Sequence, residues 1–76
     1  MVEANIYIDY ARQEDVLDVA HDVIAMQGLS AKAPIRQVKE KAGGVELIVI
    51  YENYIDYEEL VYELELAFER VSTFEY

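Results

Sequence analysis

From Val2 to Tyr10 apolar and polar residues alternate without a break. Val2, Ala4, Ile6, Ile8 and Tyr10 fall on one side, and Glu3, Asn5, Tyr7 and Asp9 on the other. A period of two is that of a strand with one buried face. After a short connection, Ala11-Arg12-Gln13, the period changes. Val16, Leu17, Val19, Ala20, Val23, Ile24 and Met26 form a broad apolar face against Glu14, Asp15, Asp18, His21 and Asp22, which predicts a helix over 14–27. Its early acids suit a helix N-terminus, and Gly28 is placed to cap its C-terminus.

Leu29 to Pro34 reads as a loop and Ile35 to Lys41 as a weak strand. The weak strand follows a proline and carries Lys39 and Lys41, both of which suit a sheet edge. Its alternation is poor, so the direction of Val38 stays open. Ala42-Gly43-Gly44 predicts a hairpin turn into Val45 to Tyr51, the longest run of β-branched and aliphatic residues in the chain. Val45, Leu47, Val49 and Tyr51 share one face of that run; Glu46, Ile48, Ile50 and Glu52 share the other, whose middle is still apolar. Such a strand belongs at the centre of a sheet.

A second helix is predicted from Asn53 or Asp56 to about Arg70, with Asp56 and Glu59 spaced as a capping box. Tyr57, Leu60, Val61, Leu64, Ala67, Phe68 and Val71 recur at helical spacing and make its core face. Glu58, Glu59, Glu63, Glu65 and Glu69 take the exposed side, with Tyr62 and Leu66 among them one turn apart. Residues 71–76 have high β propensity and form either a fourth strand or a tail.

The order β-α-β-β-α(-β) resembles the ferredoxin-like, split-βαβ arrangement. The resemblance implies a single small two-layer α+β domain over 1–76, an antiparallel sheet with the first and third strands central, and two helices on one face. Facing the helices would be Val2, Ala4, Ile6, Ile8, Val45, Leu47, Val49 and Tyr51. The open face would carry Tyr7 beside Ile48 and Ile50, ringed by Asp9, Glu46 and Glu52. Families of this topology are not matched by motif. An RNA-recognition motif needs stacking aromatics on both central strands, and a heavy-metal-binding domain needs Cys-x-x-Cys, whereas this chain has no cysteine.

Charge narrows the partners. Sixteen acidic residues against six basic ones give a net charge of −10, which disfavours direct contact with nucleic acid or an anionic membrane. Lys32, Arg36, Lys39 and Lys41 cluster around the predicted edge strand, where they suit solubility and edge protection. The N-terminal residues do not read as a signal peptide and no apolar run is long enough to span a bilayer, so a cytoplasmic protein is expected.

Candidate chemistry is thin. Asp18, His21 and Asp22 share a helical side at the spacing of a weak metal site, but a histidine between solvent-facing acids is the commoner arrangement. Glu59/Glu63 and Glu65/Glu69 read better as a solvated face than as acid–base pairs. Ser30, Ser72 and Thr73 sit in no nucleophile elbow. Neither an enzyme, a cofactor nor a metal is expected.

Two surfaces remain. The second helix, through Glu58, Glu59, Tyr62, Glu63, Glu65, Leu66 and Glu69, suits docking on a basic protein partner: carboxylates steer the encounter and aromatic and aliphatic side chains supply burial. Dense carboxylates also stand in for nucleic-acid phosphates, as in small acidic inhibitors of mobile elements, which the chain resembles in charge and size. The expected function is therefore that of a small acidic protein-binding protein, an inhibitor or nucleic-acid mimic. The alternative is a structural or regulatory ferredoxin-like module that homodimerises or binds a small ligand through Tyr7, Ile48 and Ile50 on the open sheet face.

Overall fold

A computed structural model describes residues 2–27, 35–41 and 43–75, and for Lys41 and Glu75 the backbone only. Elements follow in the order β1 Val2–Asp9, α1 Gln13–Met26, β2 Ile35–Lys41, β3 Gly44–Tyr51, α2 Tyr54–Ala67 and β4 Arg70–Glu75. The loop expected over 29–34 and the expected cap at Gly28 lie outside the described residues.

The strand with the strictest alternation and the most apolar strand lie side by side. β1 pairs with β3 antiparallel, placing Ala4 opposite Val49, Ile6 opposite Leu47 and Ile8 opposite Val45. β2 pairs with the far side of β3, and β4 with the far side of β1, giving an antiparallel sheet of order β2-β3-β1-β4. The two apolar strands are thus central and the lysine-bearing strand is an edge, as its composition requires.

One face of this sheet makes the core. Ala4, Ile6, Ile8, Val45, Leu47 and Val49 form a single buried cluster with Val16, Ala20 and Val23 of α1 and Tyr57, Leu60 and Leu64 of α2. Burying a side chain such as Ile6 or Leu47, both without exposed surface, contributes about 2 kcal/mol. The smallest molecular extent, 18 Å, is that of one sheet and one layer of helices.

The open direction of Val38 is resolved, and several expected details are corrected. Val38 pairs with Leu47 and so faces the helices; the alternation of β2 is poor because its register slips between Ile35 and Gln37, leaving Arg36 as an extra residue. α2 begins at Tyr54 because Asn53 caps it, its side chain accepting a 3.0 Å hydrogen bond from the Ile55 N–H. Asp56 lies inside the first turn and forms no capping box with Glu59. α2 ends at Ala67 instead of Arg70: Phe68 is already extended, and residues 70–75 form β4 along the open edge of β1. Val71 consequently reaches the helix-facing side as a strand residue opposite Ile8, and Glu69 leaves the helix. Ala67 and Met26, both expected on core faces, are exposed.

α1 starts without a side-chain bond from its own N-cap residue, Arg12. Glu40 of β2 supplies an acceptor instead, its carboxylate taking a 3.3 Å hydrogen bond from the Gln13 N–H. At the other end Gln27 ties the helices together, its side-chain amide donating to the Asp56 carbonyl at 2.9 Å.

Candidate functional site

The outer side of α2 is set by the same helical arithmetic that sets its inner side. At 100° per residue, Tyr57, Leu60 and Leu64 point into the core, and the direction opposite them is taken by Ile55, Tyr62 and Leu66. All three are exposed, by 69%, 58% and 66% respectively. Their spacing of seven and four residues draws one straight stripe along the helix. Glu58 and Glu65 border the stripe on one side, Glu59 and Glu63 on the other; Glu58, Glu59 and Glu65 are exposed and Glu63 is half-buried. The expected members Glu58, Glu59, Tyr62, Glu63, Glu65 and Leu66 are therefore brought together on one helix. Glu69 stands apart beyond its end. Ile55 was not among the expected residues, and its place seven residues before Tyr62 was the signal that identifies it.

The helix carrying this stripe is firmly seated. Tyr51 at the end of β3 stacks on the buried Tyr57 with ring centroids 4.5 Å apart, and Tyr54 tilts against both at 6.0 and 5.8 Å. Such pairs add about 0.5–1.5 kcal/mol each beyond burial. They anchor the first turn of α2 to the sheet.

Charge divides sharply between the two layers. α1 holds Glu14, Asp15, Asp18 and Asp22, and α2 holds Asp56, Glu58, Glu59, Glu63 and Glu65, with no Lys or Arg in either helix. The open face of the sheet is different. Acids and cations are mixed there: Arg36 ion-pairs with Glu3 at 2.8 Å, while Arg70 is the register neighbour of Asp9 and Lys39 that of Glu46, whose carboxylate accepts a 3.4 Å hydrogen bond from the Asn5 amide. The Arg36–Glu3 pair reaches across β3 at the level of Ile50, which is the register partner of Glu3. Being exposed, it contributes below about 1 kcal/mol to stability.

That face is arranged otherwise than expected. Tyr7 is opposite Glu46 and leans away from Ile48 and Ile50 to lie over Gly44. Its phenol is pushed above the ordinary value of 10.0, first by lost hydration, then by the charge of Asp9 and a hydrogen bond with it, and last by Glu46. Ile48 and Ile50 are half-buried. Across the sheet, the row through Ile48 continues with Asn5 and Phe74. Phe74 is 59% exposed and belongs to this surface, which the β propensity of residues 71–76 alone does not indicate.

His21, Asp18 and Asp22 are exposed on α1, and among the described residues no three His, Asp or Glu side chains converge as metal ligands. Among the same residues no helix is long and apolar enough to cross a membrane. Compared with family models, with curated proteins and with solved structures, the chain matches none.

Proposed function

We propose that this is a small, non-enzymatic protein-binding protein that docks through α2 on a basic surface of a larger partner. One observation carries the reading: an exposed apolar stripe, Ile55, Tyr62 and Leu66, runs between glutamates on a helix without a single cation. Exposed apolar side chains in line are what an interface buries, and the carboxylates beside them accelerate encounter with a cationic surface and reject anionic ones. A cationic groove that ordinarily holds nucleic acid is a surface of this kind, and occupying it makes the protein an inhibitor that mimics phosphate charge. The element order with β1 and β3 central supports the ferredoxin-like reading of the scaffold.

The test is capture of the partner from a lysate of the source organism, then surface plasmon resonance at several salt concentrations. Tyr62→Ala is expected to speed dissociation by about tenfold. Glu59→Gln with Glu63→Gln is expected to slow association and flatten its salt dependence. Wild-type kinetics in both variants would move the binding surface off α2.

A second reading has its own support. The open sheet face mixes cations with acids in an otherwise strongly acidic molecule, and it carries Ile48, Ile50 and Phe74. It is the face on which two copies approach with the least repulsion, and it suits a homodimer.

A further inference from the structure

α2 also follows a heptad on its outer side. With Ile55 and Tyr62 at d, Glu59 and Leu66 fall at a, Asp56 and Glu63 at e, and Glu58 and Glu65 at g. The core residues Tyr57, Leu60, Val61 and Leu64 occupy the b, c and f positions, so Ile55, Tyr62 and Leu66 point away from the domain, while the exposed Glu59 at a also accepts a 3.3 Å hydrogen bond from the Gln27 side chain at the end of α1. All four e and g positions are acidic. In paired helices these are the positions whose charges choose the partner, while a and d supply the apolar contact.

We propose that the occupant of this seam is a single amphipathic helix of opposite charge, with apolar residues at its own a and d positions, Lys or Arg at e and g, and one cation in its seam facing Glu59. This rests on the docking role given to α2 and names the class of partner. The geometry favours a helix over a broad basic surface because the apolar stripe is one residue wide. Its three side chains span about 16 Å along the axis at 1.5 Å per residue. A flat cationic surface would meet carboxylates on both sides while leaving the stripe against polar groups. A second copy of α2 is disfavoured, because it would bring the acidic e and g rows of both helices together without a cation. α2 is already helical and held by Tyr51 and Tyr57, so only the partner helix pays to fold.

The experiment uses the full chain and two synthetic peptides of identical composition, each about three heptads long to lie beyond the marginal length for a helix. One places Leu at a and d and Lys at e and g, with a single Lys in the seam. The other has the same residues in an order without heptad period. Binding is read by calorimetry and peptide helicity by circular dichroism, with thermal melts checking that each protein variant folds. The expected result is that the amphipathic peptide binds at least about tenfold more tightly than its scrambled partner and gains helicity on binding. Leu66→Ala and Tyr62→Ala should each weaken it about tenfold. Glu58→Lys with Glu65→Lys should weaken it and favour a peptide with Glu at e and g.

Equal binding of the two peptides overturns the helical partner but leaves docking on a basic surface standing. No binding of either overturns both. A homodimer of the protein alone at neutral pH, dissociated by Leu66→Ala, replaces the cationic helix with a second copy and overturns the proposal too.

Discussion

The ring of Tyr7 lies against the backbone of Gly44. A methyl group built on Gly44 would stand 2.7 Å from the Tyr7 hydroxyl oxygen and 2.9 Å from its Cζ, and 2.5 Å from the carbonyl oxygen of Ile8. Tyrosine and glycine thus fill one another's space across two central strands. Gly44→Ala should destabilise the domain by about 2 kcal/mol or more, because the Ile8 carbonyl belongs to the sheet ladder and cannot move aside. Urea denaturation would show it as a lower midpoint at unchanged slope.

The same tyrosine makes stability sensitive to alkaline pH. Its phenol is raised in the folded state, above 10.0 in the unfolded chain, so the unfolded chain gives up the proton first. Its contribution is complete below pH 10 and is lost as pH rises from there through the folded-state value. Tyr7→Phe should remove this part of the alkaline decline, measured as urea midpoints from neutral pH to above 10. An identical decline in the variant would assign it to other groups.

Tyr10 has a φ of +55°, in the left-handed region, and stays exposed with the Arg70 guanidinium 5.4 Å from its ring centre. Tyr10→Ala keeps the backbone strain and loses the cation–π contact, whereas Tyr10→Gly loses the contact and relieves the strain. The glycine variant should therefore be more stable than the alanine variant by about 1 kcal/mol, the reverse of their order in a helix.

Asn53→Ala should cost about 1 kcal/mol, since it orphans the Ile55 N–H at the start of α2. Asp56→Asn should cost less, because Asp56 contributes first-turn charge and not the cap. Thermal melts of both variants would rank them; the opposite order would return the cap to Asp56.

If the open sheet face pairs two copies, wild-type protein should sediment as a dimer at high concentration. Ile48→Lys and, separately, Phe74→Ser should give monomers, the first by burying an unpaired charge and the second by removing exposed apolar area. The Phe74 variant guards against misfolding, since that side chain projects into solvent. A wild-type monomer at all concentrations removes the second reading.

Most of the sheet could be read from the sequence because β1 alternates strictly over its full length, as burial of one face requires, and β3 is a continuous apolar run of the kind a central strand carries. Helix ends were less legible. The apolar period of α2 continues through Ala67, Phe68 and Val71, so periodicity alone could not stop the helix at Ala67; the vacant edge of β1 did. Nor could Glu40 as the acceptor at the start of α1 be foreseen, since it lies 27 residues away in sequence. In β2 the extra residue at Arg36 hid the direction of Val38. Of the candidate surface on α2, Tyr62 and Leu66 stood out as apolar residues among glutamates, whereas Ile55 was masked by its place beside the cap. Phe74 needed the register of β4 before its face was known.

The excess of carboxylates in the helices, where Arg12 at the start of α1 pairs with Glu14 and Asp15, and the mixture of acids and cations on the sheet give the molecule an electric dipole from layer to layer. In the field of a cationic partner, such a dipole experiences a torque before any contact forms. The protein would turn as it approaches and arrive helices first, so that a larger share of collisions begin in an orientation from which the α2 stripe can settle.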